Sequence, residues 1–147
     1  MVRILHTADW HLGQTLAGFS RGDEHRAALD ALVDLAACEA VDAVIVAGDV
    51  FDTLNPSAEA QTLYFDTLAR LRAARPHAAI VVVAGNHDPA GRLEAPRGLY
   101  GLAGVHVVGT IARTAGGYDL ARHVAADPGD TADDDEIARL ADALARS

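Results

Sequence analysis

Asp42-Ala43-Val44-Ile45-Val46-Ala47-Gly48-Asp49-Val50-Phe51-Asp52 decides the fold. The unbroken Val44-Ile45-Val46 run reads as a strand buried on both faces, as in a parallel sheet covered by helices. The polar Gly48-Asp49 step follows at once, where such a strand ends. On the N-terminal side, residues 24–40 have helical spacing, with Leu29, Leu32, Val33 and Ala36 forming one apolar stripe. Before them, Val2 to Leu5 is a short β-rich run. On the C-terminal side, Asn55-Pro56-Ser57 announces a second helix with a capping residue and a first-turn proline. Its stripe is Ala60, Leu63, Tyr64, Leu68 and Leu71. Ala79 to Ala84 repeats the doubly buried strand pattern, and Val105 to Val108 is a fourth strand. Strand, helix, strand, helix, strand implies an α/β fold with a mostly parallel sheet flanked by helices and right-handed crossovers.

Composition narrows the function classes. The chain has 147 residues, half of them hydrophobic, which suits one domain with a real core. No apolar run approaches the length of a membrane span. Met1-Val2-Arg3-Ile4-Leu5 enters a strand without the apolar stretch of a signal peptide, so a cytoplasmic location is expected. The lone Cys38 has no internal disulfide partner and reads as a small buried apolar residue. Net charge is −9 and all 12 basic residues are arginine. Such a chain is a poor non-specific binder of nucleic acid, because phosphate neutralisation drives that binding. A stand-alone DNA-binding module is therefore disfavoured, whereas a site that concentrates carboxylates around cations is not. Residues 127–147 read as an acidic linker followed by a helix from about Asp133, with Glu136 in capping-box position. The expected division is thus 1–126 and 127–147.

Three polar motifs close the first three strands: Asp9-Trp10-His11, Gly48-Asp49-Val50-Phe51-Asp52 and Gly85-Asn86-His87-Asp88. In an open parallel sheet the carboxyl ends of the strands share one edge, where ligands bind. Motifs far apart in sequence should therefore converge. Asp, His and Asn offer oxygen and imidazole nitrogen, donors suited to Mn²⁺, Fe²⁺ or Zn²⁺. One carboxylate can bridge two cations about 3.5–4 Å apart. Each motif alone reads equally well as a turn, since Gly, Asn and Asp tolerate turn geometry; it is the coincidence of all three that favours a metal site. His6, just before the first motif, reads either as a group orienting a ligand or as a buried, hydrogen-bonded histidine. His25, His77, His106 and His123 lack metal spacing and read as structural or solvent-facing.

These motifs resemble those of the calcineurin-like metallophosphoesterase superfamily, and more closely those of the SbcD family, the nuclease subunit of bacterial SbcCD complexes. The resemblance rests on His6-Thr7-Ala8-Asp9-Trp10-His11-Leu12-Gly13, on Ala47 to Asp52 with Asn55-Pro56, and on Ala84 to Asp88 with Arg92-Leu93-Glu94-Ala95-Pro96-Arg97. It covers residues 1 to about 109 and implies the first βαβαβ half of a layered metallophosphoesterase fold. By resemblance, Asp9 and His11 bind a first metal, Asp49 bridges to a second, and Asn86 binds that second metal. His87 contacts the scissile phosphate or protonates the leaving oxygen. Asp52, Asp88 and Arg92 stand with His6 as residues supporting ligands or substrate. The implied reaction is DNA phosphodiester hydrolysis, exonuclease and endonuclease, with two divalent ions, usually Mn²⁺. The implied partners are DNA, an SbcC-type coiled-coil ATPase subunit and, in the full-length form, a second copy; no membrane is involved.

The family also carries downstream histidine ligands, including a His-x-His pair, which this sequence lacks. The expectation is a fragment, a truncated product or a degenerate copy, with a weak second metal site and little activity of its own. Two alternatives stand beside the nuclease reading. One is a metallophosphoesterase acting on small phosphodiesters or phosphoproteins, the other a catalytically dead fragment that binds a partner.

Overall fold

The computed structural model describes residues 1–110 and the backbone of 113–114 and 117–118. In chain order, β1 is Ile4–Thr7, β2 Thr15–Leu16, β3 Phe19–Ser20, α1 Gly22–Cys38, β4 Ala43–Ala47, α2 Ala58–Ala74, β5 Ala79–Val83, α3 Ala90–Glu94, α4 Arg97–Leu102 and β6 Val105–Val108. Strands β1, β4, β5 and β6 form one sheet in that order, every neighbour parallel. Residues 1–110 form one compact unit and 111–147 another, in which β7 (Arg113–Thr114) pairs antiparallel with β8 (Gly117–Tyr118). The acidic stretch, the expected boundary at residue 126 and the helix from Asp133 lie outside the described residues.

Sequential strand order with right-handed crossovers places α1 and α2 on the same face of the sheet. The register puts Leu5, Val44, Ile80 and Val105 in one row, and Thr7, Val46, Val82 and Val107 in another. Val44, Val46, Ile80 and Val82 are fully buried there, with Leu29, Val33 and Ala36 of α1 and Leu63, Tyr64, Leu68 and Leu71 of α2 in the same apolar cluster. The opposite rows behave differently. His6, Ile45, Val81 and His106 form one row, and these side chains are half-buried or exposed. Burial in β5 alternates along the strand, where the sequence reads as buried on both faces. The reason is coverage: helices shield one face of the described residues, and a continuous Val/Ile run reports β propensity before it reports how many faces are covered.

Local chemistry accounts for the element ends. Ser57 caps α2, its hydroxyl accepting from Ala60 N at 3.2 Å, so the helix starts where the Asn55-Pro56-Ser57 signal announces it, but Pro56 precedes the cap and does not lie in the first turn. The first strand begins at Ile4, two residues later than expected, because Arg3 N–H is taken by the Asp42 carboxylate at 2.7 Å. The β2–β3 hairpin is not anticipated by the sequence pattern; its two turn residues, Ala17 and Gly18, both have positive φ (51° and 84°), as tight hairpins require. Cys38, expected buried, is exposed at the end of α1. His25 is buried on α1's inner face. No helix among the described residues is long and apolar enough to cross a membrane.

Candidate metal centre

Backbone hydrogen bonds zip the first motif onto the second. Asp9 N donates to Gly48 O at 3.1 Å, His11 N to Asp49 O at 2.9 Å and Leu12 N to Val50 O at 2.9 Å. Asp52 N returns to Leu12 O at 3.2 Å. The ladder thus continues past the end of β4, and the two loops leave the sheet edge as one unit. The third motif is fastened by Asp88, only 5% exposed, whose carboxylate accepts from Gly85 N (2.8 Å), Val50 N (3.1 Å) and Phe51 N (2.8 Å). Asp88, grouped by the resemblance with residues that support ligands or substrate, is in this geometry a buried clamp between motifs.

The result is one cluster. Asp9, His11 and Asp49 each offer a ligand atom, and these atoms all lie within 4.8 Å of one another. His11 Nε2 is 3.9 Å from Asp9 Oδ1 and 4.0 Å from Asp49 Oδ2. Metal bonds of about 2.0–2.3 Å put neighbouring ligand atoms about 3–4.5 Å apart, so the spacing and the donor set both fit a divalent cation. Among the described residues five non-glycine residues have positive φ, and three of them are Asp9 (55°), His11 (44°) and Asp49 (49°). Such conformations cost about 1–3 kcal/mol each and gather at functional sites. At Gly85 a Cβ would overlap Asp49 Oδ1 and N, so only glycine lets β5's loop close on that carboxylate.

Asn86 is exposed on this loop, between Gly85 and His87, and its side chain makes no hydrogen bond among the described residues. His87 N donates to Asp49 Oδ1 at 3.0 Å, its Nδ1 lies 3.1 Å from Asp52 O, and its ring meets His11 edge-on with centroids 5.2 Å apart. Asp52 stands behind His11, its Oδ1 3.5 Å from Nδ1. Arg92 Nη1 donates to Asn55 Oδ1 at 2.6 Å, strapping α3 to the loop before α2. His6 is exposed on the sheet face away from α1 and α2, and makes no side-chain hydrogen bond or ion pair among the described residues.

Three residues at this edge carry no site signal in the sequence. Gln14, Arg21 and His25 line, with Asp9, Trp10 and His11, a cleft of about 340 Å³ beside the cluster. Gln14 Nε2 donates to Asp52 Oδ1 at 3.3 Å, and Arg21 Nη1 to Gln14 Oε1 at 2.6 Å. His25 sits on α1; the hairpin that brings Gln14 and Arg21 there is short and without an apolar pattern, so its Ala17-Gly18 turn is the one signal that could have found it. Burial, and then the Arg21 charge, push the His25 imidazole below its ordinary range.

The profile of the calcineurin-like phosphoesterases matches residues 2–140. The chain belongs to that family. The match runs well past residue 109, where the sequence resemblance fades. Among relatives of this phosphoesterase, the SbcD subunit of the nuclease SbcCD of Rhodobacter capsulatus is 58% identical over 123 residues, 84% of this chain and 30% of that protein. The SbcD subunit of Bacillus subtilis is 49% identical over 110 residues, 74% of this chain and 27% of that protein. That of Escherichia coli K12 is 47% identical over 107 residues, 73% of this chain and 26% of that protein. The alignments thus span less than a third of the length of these curated relatives. Family membership brings divalent metal binding with it, and the Asp9, His11 and Asp49 cluster is the place these residues provide.

Proposed function

We propose that this chain supplies the first half of a two-metal site for DNA phosphodiester hydrolysis, in the manner of an SbcCD-type nuclease subunit. The observation that carries the proposal is the meeting of Asp9, His11 and Asp49 at the carboxyl edge of a parallel sheet. Likeness to proteins named as SbcD subunits of the nuclease SbcCD supports the substrate class. Asp9 and His11 would hold one cation, Asp49 would be shared between two, and Asn86 would serve the second; Mn²⁺ suits this mixed oxygen and nitrogen donor set. When bound, the cations lower the pKa of the attacking water and offset charge on the phosphoryl oxygens.

The chain's own residues do the rest. Asp49 is held in place by His87 N, so the bridge and the phosphate-side histidine share one support. His87 is assigned to the substrate side: a carbonyl only accepts, so Asp52 O at Nδ1 keeps a proton on Nδ1, and giving a proton to the leaving oxygen from Nε2 would require the imidazolium, protonated on both ring nitrogens. The net charge of −9 argues that a partner supplies the wider grip on DNA, in keeping with an SbcC-type ATPase subunit, a second copy and a cytoplasmic setting.

The test compares Mn²⁺-dependent cleavage of linear duplex DNA, a cyclic nucleotide and a phosphopeptide. It uses the chain alone and the chain joined to the C-terminal two-thirds of the Rhodobacter relative. Weak cleavage by the chain alone and strong DNA digestion by the chimera, abolished by Asp49→Ala, is the expected result. Hydrolysis of the cyclic nucleotide or the phosphopeptide in preference to DNA would overturn the substrate class. A chimera inert on all three would favour the partner-binding alternative.

A further inference from the structure

We infer that Asp52 is a positioning residue, one that sets the imidazole of His11 for metal binding and the ring of His87 for substrate; the inference rests on the metal reading above. Several contacts converge on it. Its Oδ1 lies 3.5 Å from His11 Nδ1. The same oxygen accepts from Gln14 Nε2 at 3.3 Å, and Gln14 is itself held by Arg21 at 2.6 Å. Its carbonyl oxygen is 3.1 Å from His87 Nδ1. Its own N–H donates to Leu12 O at 3.2 Å, which keeps the second loop against the first.

Proton accounting turns these contacts into a role. A neutral imidazole carries one N–H, and a carboxylate can only accept. His11 Nδ1 is sealed from solvent and makes no hydrogen bond among the described residues; the Asp52 carboxylate, with Oδ1 3.5 Å away, is the acceptor that stands beside it. The proton therefore sits on Nδ1, and Nε2 keeps its lone pair. Nε2 is the nitrogen that faces Asp9 and Asp49, at 3.9 and 4.0 Å. A carboxylate behind a ligating histidine fixes its tautomer and raises its basicity. Asp52 is thus not one more ligand but the group that points a ligand. Gln14 and Arg21 hold that carboxylate from the β2–β3 hairpin side, so movement of the hairpin is transmitted to His11.

The experiment reads the tautomer directly. Long-range proton–nitrogen correlation spectra of the metal-free chain, labelled at histidine, are recorded at about pH 8.5, two units above the ordinary imidazole value of about 6.5. His11 is expected as the Nδ1–H form in the wild type, which requires no substitution and so no refolding assumption. In Asp52→Ala that form gives way to a mixture, and calorimetric Mn²⁺ affinity falls about 10- to 100-fold. His11→Ala is the reference and loses Mn²⁺ binding. An Nε2–H His11 in the wild type would overturn the inference. So would an Asp52→Ala chain with unchanged tautomer and Mn²⁺ affinity while His11→Ala loses the metal. If His11→Ala binds Mn²⁺ normally, the metal reading fails instead; the positioning role of Asp52 then stands or falls on the tautomer alone.

Discussion

At the residue scale, Asp49 and His87 illustrate two different dependences on one loop. The Asp49 carboxylate belongs to the three-residue cluster, and the proposed cation depends on it. His87 supports it through a backbone N–H, which any residue other than proline would supply. Asp49→Ala should therefore abolish Mn²⁺ binding, while His87→Ala should leave the dissociation constant nearly unchanged, both read by titration calorimetry. Loss of metal in His87→Ala would assign that ring to a cation. Asp88 makes a separate prediction. Its buried carboxylate satisfies three backbone donors, and charged hydrogen bonds of this kind are worth about 1.5–3 kcal/mol each, with orphaned donors adding to the loss. Asp88→Ala should cost about 3 kcal/mol or more in urea unfolding and loosen the joint between the second and third motifs. A midpoint shift within error would remove Asp88 from the framework of the site.

At the scale of elements, α1 couples the site to pH through His25. Burial lowers its pKa from 6.5, with the Arg21 charge adding to the effect, so the folded chain prefers the neutral ring. The unfolded chain then binds more protons wherever pH lies between the folded value and 6.5. Stability contributed by neutral His25 is thus present above 6.5 and is lost as pH falls through the window below it. His25→Gln should flatten this decline, measured as the difference between urea midpoints at about pH 7.5 and 5.5 for variant and wild type. An equal decline in both would show that other groups carry the acid sensitivity. The helix lies against the same cleft as His11 and Gln14, so acidification should disturb the site before the distant sheet.

On the scale of the whole molecule, unshielded apolar surface dominates. The sheet face opposite α1 and α2 leaves Ile4, Ile45 and Val81 partly accessible. Exposed Phe65 of α2 stacks on Tyr100 of α4, whose neighbours Leu99 and Leu102 are 69% and 88% exposed. Contiguous apolar patches promote association. Residues 1–147 should therefore self-associate in sedimentation velocity, and the pair Phe65→Gln with Leu99→Gln should shift the distribution toward monomer. A compact monomer with cooperative unfolding in the unmodified chain would contradict this.

Sequence by itself determined the parallel α/β order, the start of α2 at the Asn55-Pro56-Ser57 stretch and the three motifs at strand ends, because each depends on short-range chemistry: β propensity, capping, and the polar step after an apolar run. It also determined that Asp9, His11 and Asp49 share an edge, since parallel strands place their carboxyl ends together. Tertiary structure alone decided the rest. Which sheet face is covered depends on where helices land. Whether Asp88 meets substrate or backbone depends on Gly85, Val50 and Phe51 arriving around it. The setting of Asp52 behind His11, braced by Gln14 and Arg21 from a hairpin with no apolar signature, is a matter of loops meeting although Gln14 and Asp52 stand 38 positions apart in the chain. Periodicity reports the face a residue presents within its own element, and carries no information on which loop will stand opposite.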